Sequence, residues 1–357
     1  MKVSIIILSV LIISFSVIIT HQIPLNNTSN DLKCNGFSEF CNRNYSSITF
    51  VGTHNSYASG NQAAANQNYD IPTQLKDGVR AFALDGLYHN TTDKTLELCH
   101  TSCDLLDSGS IVMTLKNFTI FLENNPNEVI TIFWENVDKI TASEYKDAYD
   151  QAGLTKYAYI PESATEWPTL SSLIESDKRL INFIDTGYDS SVPWLLSEYT
   201  YVFETPFEVP SPDSFTCTID RPKGQSRPMY LINHFVYNTI VLGGKDVDVP
   251  QVSSANTTNS NNLKDHIEKC RTTFSKIPNF VLVDFYDKGI TDENGNVINV
   301  FSVVAGVNNV TYVYTELGDG NNGNPKKNGG SRISDKLMSK NSMFALSVII
   351  VFVIFGF

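Results

Sequence analysis

Phe50-Val51-Gly52-Thr53-His54-Asn55-Ser56-Tyr57 is a short apolar run that stops at an imidazole. A run of this kind bounded by polar residues reads as a buried strand, so His54 and Asn55 stand where that strand ends. Leu96-Glu97-Leu98-Cys99-His100 repeats the arrangement and brings a second imidazole to the same rim of a sheet or barrel. Imidazole, with an unperturbed pKa of roughly 6.5, can take one proton and return another near neutral pH, as cleavage of a phosphodiester by an internal hydroxyl requires. The pair can therefore serve as base and acid.

Outward from these two segments, short apolar and β-branched runs give eight expected strands. They are Ser47 to Thr53, Arg80 to Leu84, Leu96 to Cys99, Val129 to Trp134, Arg179 to Ile184, Tyr199 to Phe203, Met229 to Ile232 and Phe280 to Val283. Helical spacing of apolar residues recurs between them, at Ser110 to Leu122, Ala142 to Ala152 behind the cap candidate Thr141, Leu170 to Ile174 and Asn262 to Phe274. Strands alternating with helices argue for an α/β protein built as a TIM-type β/α barrel in a single domain. A doubly wound open sheet is the alternative, but no Gly-rich phosphate loop follows the first strand.

In such barrels chemistry sits at the carboxyl rim. Behind the eight expected strands stand His54 and Asn55, Asp85, His100, Glu135, Asp185, Glu204, Asn233 with His234, and Asp284. Any one of these is weak, because loops are polar; their concentration is what points to a site.

The chain has 357 residues and a formal charge of -12. Nucleic-acid binding relies on basic surface, which this composition does not supply. An acidic protein also repels anionic phospholipid at long range, so phosphate chemistry here has to rest on local positive groups, and a bound metal would provide them. Residues 1–21 have the layout of a secretory signal peptide, Lys2 followed by the apolar run Val3 to Ile19, with a retained signal anchor as the alternative. Met343 to Phe357 is almost wholly apolar, shorter than the about 20 residues of a spanning helix and without a basic flank. With small residues at Asn328-Gly329-Gly330-Ser331 and a polar spacer to Ser342, residues 331–357 read as the signal exchanged for a glycosylphosphatidylinositol (GPI) lipid, Asn328 being the first candidate for attachment. A short tail-anchored helix is the competitor. Residues 34–316 form the expected barrel and 317–330 a flexible stalk.

Six cysteines, at 34, 41, 99, 103, 217 and 270, suit an exported chain with disulfides. Proximity suggests Cys34 with Cys41, Cys99 with Cys103 and Cys217 with Cys270, while the alternative of a zinc site lacks a Cys-x-x-Cys pair. Sequons at Asn26, Asn27, Asn44, Asn90, Asn117, Asn256 and Asn309 fit passage through a glycosylating compartment.

Taken together, Gly52-Thr53-His54-Asn55-Ser56, Gly78-Val79-Arg80-Ala81-Phe82-Ala83-Leu84-Asp85, Leu98-Cys99-His100, Ile132-Phe133-Trp134-Glu135-Asn136 and Val281-Leu282-Val283-Asp284-Phe285-Tyr286 resemble the X-type catalytic region of phosphatidylinositol-specific phospholipase C and its secreted relatives. The resemblance spans Ile48 to about Tyr286 and implies a distorted β/α barrel. It implies that His54 takes the proton of the inositol 2-hydroxyl, that His100 protonates the departing diacylglycerol oxygen, and that Asp284 orients His54. The first product would be a cyclic inositol phosphate. Asn55, Asp85 and Glu135 match three of the positions that bind calcium in the animal enzymes, so the resemblance implies Ca²⁺ or Mg²⁺. Ala83 stands where the fourth ligand, an acid, would be. Bacterial members replace the metal by an Arg, but Asp85 occupies that position here, and no other positive group offers itself.

The resulting expectation is a surface-anchored phosphodiesterase on phosphoinositide or glycosylated inositol lipid, at the outer face of the cell membrane. A glycerophosphodiester or sphingolipid phosphodiesterase on the same barrel would differ in its product. A weakly active surface interaction module is the reading from another class, supported by Ala83 and opposed by the two retained histidines and Asp284.

Overall fold

A computed structural model describes residues 32–89, 95–100, 102–242 and 245–318. The expected signal peptide, nearly all of the stalk and the GPI signal lie outside them. The strands in chain order are β1 (Phe50–Thr53), β2 (Ala81–Tyr88), β3 (Leu96–Cys99), β4 (Asp107–Ser110), β5 (Ile130–Glu135), β6 (Leu180–Ile184), β7 (Leu195–Ser197), β8 (Val202–Glu204), β9 (Met229–His234), β10 (Tyr237–Leu242), β11 (Lys245–Pro250), β12 (Phe280–Val283), β13 (Gly289–Thr291) and β14 (Val297–Asn299). Eight of them form one curved parallel sheet in the order β7-β6-β5-β2-β1-β12-β9-β8. Among the described residues no ladder joins β7 to β8, so the barrel is distorted and open at that seam.

The parallel strands are hydrophobic on both faces. Every residue of β6 and β9 is buried, as is Ile130 to Trp134 of β5, the pattern expected where helices cover the outside and side chains fill the inside. Successive residues alternate between two apolar clusters. Phe50, Phe133, Phe183, Leu231, Phe280 and Leu282 pack in one, and Val51, Phe82, Ile132, Ile184, Val281 and Val283 pack in the other with Leu115, Phe118, Tyr145 and Tyr149 of the covering helices. Gly52 belongs to the inner set because nothing larger fits: a Cβ there would lie 2.5 Å from Leu282 Cδ2. The helix Ala142–Ala152 begins where expected, with Thr141 and Glu144 in a reciprocal capping box, and ends at Gly153, whose φ of 70° closes the last turn. The helices Ile111–Asn124, Leu170–Glu175 and Leu263–Phe274 match the other expected positions to within two residues.

Two strand assignments need correction. Leu96 to Cys99 is a strand, but β3 runs antiparallel to β2 and pairs with β4, forming an excursion from the barrel rather than its third stave. Only residues 89–95 separate β2 from β3, and a parallel crossover needs a dozen or more. The stave missing from the expected eight is β7, three residues behind Pro193 and Trp194, too short to show a period. Tyr199 to Phe203 is also different: Glu198–Tyr201 is a helical turn and only Val202–Glu204 is extended. All six cysteines are paired as 34–41, 99–103 and 217–270, which leaves no thiolate for zinc.

Candidate active site

The residue after β1 is His54, whose backbone N–H bonds Val283 O of β12 at 3.0 Å. That pairing sets the next residue of the neighbouring strand, Asp284, beside the imidazole: His54 Nδ1 donates to Asp284 Oδ1 at 3.0 Å. The ring lies flat on Phe235, centroids 3.7 Å apart and planes within 1°. Anchored on both counts, the imidazole keeps Nε2 for chemistry. Burial acts to pull the His54 pKa down, but the charge and hydrogen bond of Asp284, then the charges of Asp85 and Glu135, outweigh it and hold it above the ordinary value.

His100 reaches the same cavity from the end of the β3 excursion. Its Nδ1 donates to Ala64 O at 2.6 Å, fixing the tautomer that leaves Nε2 available. Burial lowers its pKa, with the carbonyl of Ala64 opposing. The disulfide Cys99–Cys103 closes the turn on which it sits. His54, Asn55, Asp85, His100 and Glu135 all line one cavity of about 200 Å³, walled by Phe207, Phe235 and Tyr237. Five of the six candidate residues thus meet in one space, and Asp284 stands directly behind the first.

Asp85 and Glu135 are register partners on β2 and β5. Burial and the charge of Glu135 push the Asp85 pKa up to about 7, although Tyr57 donates to it at 2.9 Å. Burial also raises Glu135, with Asp185 adding to the effect and Arg221 opposing it. Asn55 sits between the carboxylate and the second imidazole. One terminal atom of its amide is 3.1 and 3.3 Å from the two oxygens of Asp85 and the other is 3.3 Å from His100 Nε2. With nitrogen toward Asp85 the amide donates to the carboxylate. With oxygen there, its nitrogen donates to Asn66 Oδ1 at 3.3 Å, and three oxygens converge with the Tyr57 hydroxyl as their donor among the described residues. Oxygens so gathered fit a hard divalent cation, and the raised Asp85 and Glu135 fit the same reading, since two crowded carboxylates each hold the other's neighbourhood negative.

Other strand-end residues divide. Asp185 and Glu204 line a smaller cavity of about 50 Å³ next to His54 and Glu135. His234 does not reach the site. It is fully buried with its Nδ1 2.9 Å from Nδ1 of His266 and its Nε2 2.9 Å from Thr258 O. Strand-end reasoning missed Arg221, which lines the small cavity with His54 and Glu135. Its Nη2 donates to Glu204 Oε2 at 2.7 Å and its guanidinium lies over Phe207, while Nε is buried without an acceptor among the described residues. The expectation that no positive group stands at the rim is therefore corrected. Arg221 comes from the long β8–β9 connection and is brought back by a bridge to Glu204, which no local signal announces.

The family model described as PI-PLC X 1 matches residues 40–299. A curated relative of Arthroderma benhamiae, PI-PLC X domain-containing protein 1, is 37% identical over 282 residues, covering 76% of this chain and 90% of that one. Another from the same organism, described as an uncharacterized secreted protein, is 36% identical over 299 residues and 80% of this chain; the chain spans 66% of its length, just under two thirds. Solved structures similar to this one include a phosphatidylinositol-specific phospholipase C of Staphylococcus aureus, at 15% identity and a TM-score of 0.48 over 73% of this chain and 92% of that one. The enzyme of the same name from Listeria monocytogenes stands at 13% and 0.48, over 74% and 94%.

Proposed function

The chain belongs to the phosphatidylinositol-specific phospholipase C X-domain family, and from that membership we propose that it is a phosphoric diester hydrolase of phosphoinositide or glycosylated inositol lipid. The observation that carries the reading is the pair of imidazoles facing one cavity, each with Nδ1 held, by Asp284 on one side and Ala64 O on the other. His54 Nε2 takes the proton of the ring 2-hydroxyl as its oxygen attacks phosphorus. His100 enters this step as the imidazolium, gives its Nε2 proton to the departing lipid oxygen and is left as the neutral Nδ1–H tautomer that Ala64 O holds. Asp284 stabilises the imidazolium formed at His54, and Phe235 keeps the ring from turning away. Each positioned proton transfer is worth roughly 10² to 10⁴ in rate. The test is the product released from phosphatidylinositol: a cyclic inositol phosphate supports the reading, while release of glycerol phosphate or ceramide phosphate from other lipids would replace it.

Asn55, Asp85 and Glu135 would hold Ca²⁺ or Mg²⁺, which when bound offsets charge on the phosphoryl oxygens and neutralises two of the acids that keep a proton on His54. Arg221, across the cavity wall, is a second source of positive charge for the phosphoryl group or the headgroup. The two are separable. Asp85→Asn is expected to weaken the response of turnover to added Ca²⁺ or Mg²⁺ by about tenfold or more, since it removes a ligand charge. Full activity of the unmodified protein in strong chelator would eliminate the cation and leave Arg221 as the electrophile.

We further propose that the mature protein is exported and held at the outer face of the membrane by a GPI lipid, which would concentrate it beside its substrate. Among the described residues no helix is long and apolar enough to cross a membrane. A secreted relative supports export. Mass spectrometry of the purified cell-surface form is expected to find a C-terminal peptide ending near Asn328; a form retaining Phe357 would defeat the anchor.

A further inference from the structure

Between the two imidazoles runs a short segment, Ala64 to Gln67, that touches everything around it. Ala64 O holds His100 Nδ1. Gln67 Nε2 donates to His54 O at 2.8 Å and to Val283 O at 3.0 Å, tying the ends of β1 and β12 together. Asn66, only 2% exposed, uses its amide at both ends. Nδ2 donates to Asp284 Oδ1 at 3.1 Å, the oxygen that also takes His54 Nδ1, and itself lies 3.3 Å from that nitrogen. Oδ1 accepts Asn55 Nδ2 at 3.3 Å. The backbone of Asn66 is fixed by Ala58 O at 2.8 Å and by Phe285 N–H at 2.8 Å.

Two features make this amide more than filler. Asp284 Oδ2 is buried and accepts nothing from the described residues, so His54 and Asn66 are the two side-chain donors that hold the carboxylate, and both act on one oxygen. The other feature is the two-way choice open to Asn55. Nitrogen facing the acceptor at Asn66 Oδ1 turns the oxygen of Asn55 toward Asp85, whereas the reverse orientation gives the nitrogen to Asp85 and the oxygen to His100 Nε2; a cation on the Asp85 oxygens would select the first. We propose that Asn66 is a positioning residue, an amide clamp that fixes the Asp284 carboxylate against His54 with its nitrogen and directs the oxygen of Asn55 to Asp85 with its own. The clamp rests on the reading of His54 as the base and of Asn55, Asp85 and Glu135 as cation ligands, and it links the two.

The clamp's two halves separate in two substitutions of the full chain. Asn66→Ala removes donor and acceptor. Asn66→Asp keeps nearly the same shape and the acceptor for Asn55, but loses the donor to Asp284. Steady-state kcat and KM are measured on phosphatidylinositol micelles, and Tb³⁺ binding is followed through luminescence excited by Trp134, the residue before Glu135. Asn66→Ala is expected to lower kcat about 10- to 100-fold, with KM within about twofold, and to weaken Tb³⁺ binding on the same scale, the usual cost of removing a group that orients ligands. Asn66→Asp is expected to lose as much kcat while binding Tb³⁺ at least as tightly as the unmodified protein. Should the alanine protein fail to fold, the near-isosteric aspartate protein carries the kcat half alone. Unchanged kcat in Asn66→Asp overturns the clamp on Asp284, and unchanged Tb³⁺ affinity in folded Asn66→Ala overturns the link to Asn55. His54→Ala is measured alongside: turnover at the unmodified rate would remove the base reading itself, whereas an inactive His54→Ala beside a fully active Asn66→Asp removes only the clamp.

Discussion

Alanine at His54 or at His100 is expected to lower turnover of phosphatidylinositol by about 10² to 10⁴, with lipid binding largely retained. Neither imidazole carries the fold. His54 adds a stacked face to Phe235 and one bond to Asp284, and His100 one bond to Ala64 O, so loss of the side chain removes a proton carrier from a cavity that stays walled. The two act on one reaction, so the double substitution is expected to cost little more than the worse single one. Vesicle sedimentation and initial rates on the same preparations check both parts. A His100→Ala protein at the unmodified rate would defeat the acid-base assignment outright.

The second large effect concerns stability and a part of the molecule that takes no part in chemistry. His234 and His266 face each other through Nδ1 at 2.9 Å, and their Nε2 atoms lie 2.9 Å from Thr258 O and 3.3 Å from Thr216 O. Burial lowers the pKa of His234 well below the ordinary value and pushes that of His266 down to about 4. A depressed imidazole is neutral in the folded chain while the unfolded chain still binds its proton. Its contribution is therefore complete above the unfolded pKa of about 6.5 and is lost as pH falls from there to about 4, at about 3 kcal/mol for His266. Asp85, raised to about 7, works in the opposite sense, because a folded carboxyl that keeps its proton gains on the unfolded one as pH falls. The measurement is accordingly a difference. Urea unfolding of the unmodified protein and of His266→Asn is expected to show a stability gap that narrows by about 3 kcal/mol between pH 7 and pH 4. A gap independent of pH would mean that His266 does not titrate as its burial requires.

What the sequence made legible followed from period and position. The six-residue run Ile130–Glu135 and the five of Leu180–Ile184 are apolar enough to be recognised as staves, and their last residues lie where a barrel does its chemistry. That rule brings His54, Asn55, Asp85, Glu135 and Asp284 together from chain order alone. It reaches His100 for the wrong reason: the imidazole ends a strand, but the strand is half of a hairpin, and alternation alone cannot tell parallel from antiparallel. The same rule nominates His234, whose side chain turns to the outer layer, since the face a strand-end residue takes depends on register with its neighbours. Arg221 and Asn66 escaped for a different cause. Both stand on connections, and their place is set by tertiary bonds such as Glu204 N to Arg221 O at 2.8 Å and Phe285 N to Asn66 O at 2.8 Å, which leave no trace in composition.

The open seam between β7 and β8 bears on how a ring-sized headgroup enters. Glu198, Tyr199 and Glu204, on and between those strands, form part of the wall of the 50 Å³ cavity beside His54, a volume too small for a six-membered polyol. Elsewhere around the sheet, widening the mouth would mean unzipping a backbone ladder. Here, among the described residues, no ladder joins the two strands and the helical turn Glu198–Tyr201 alone carries the chain across, so this is the hem of the barrel: the stretch of wall that can shift for a guest with every paired stave left in register.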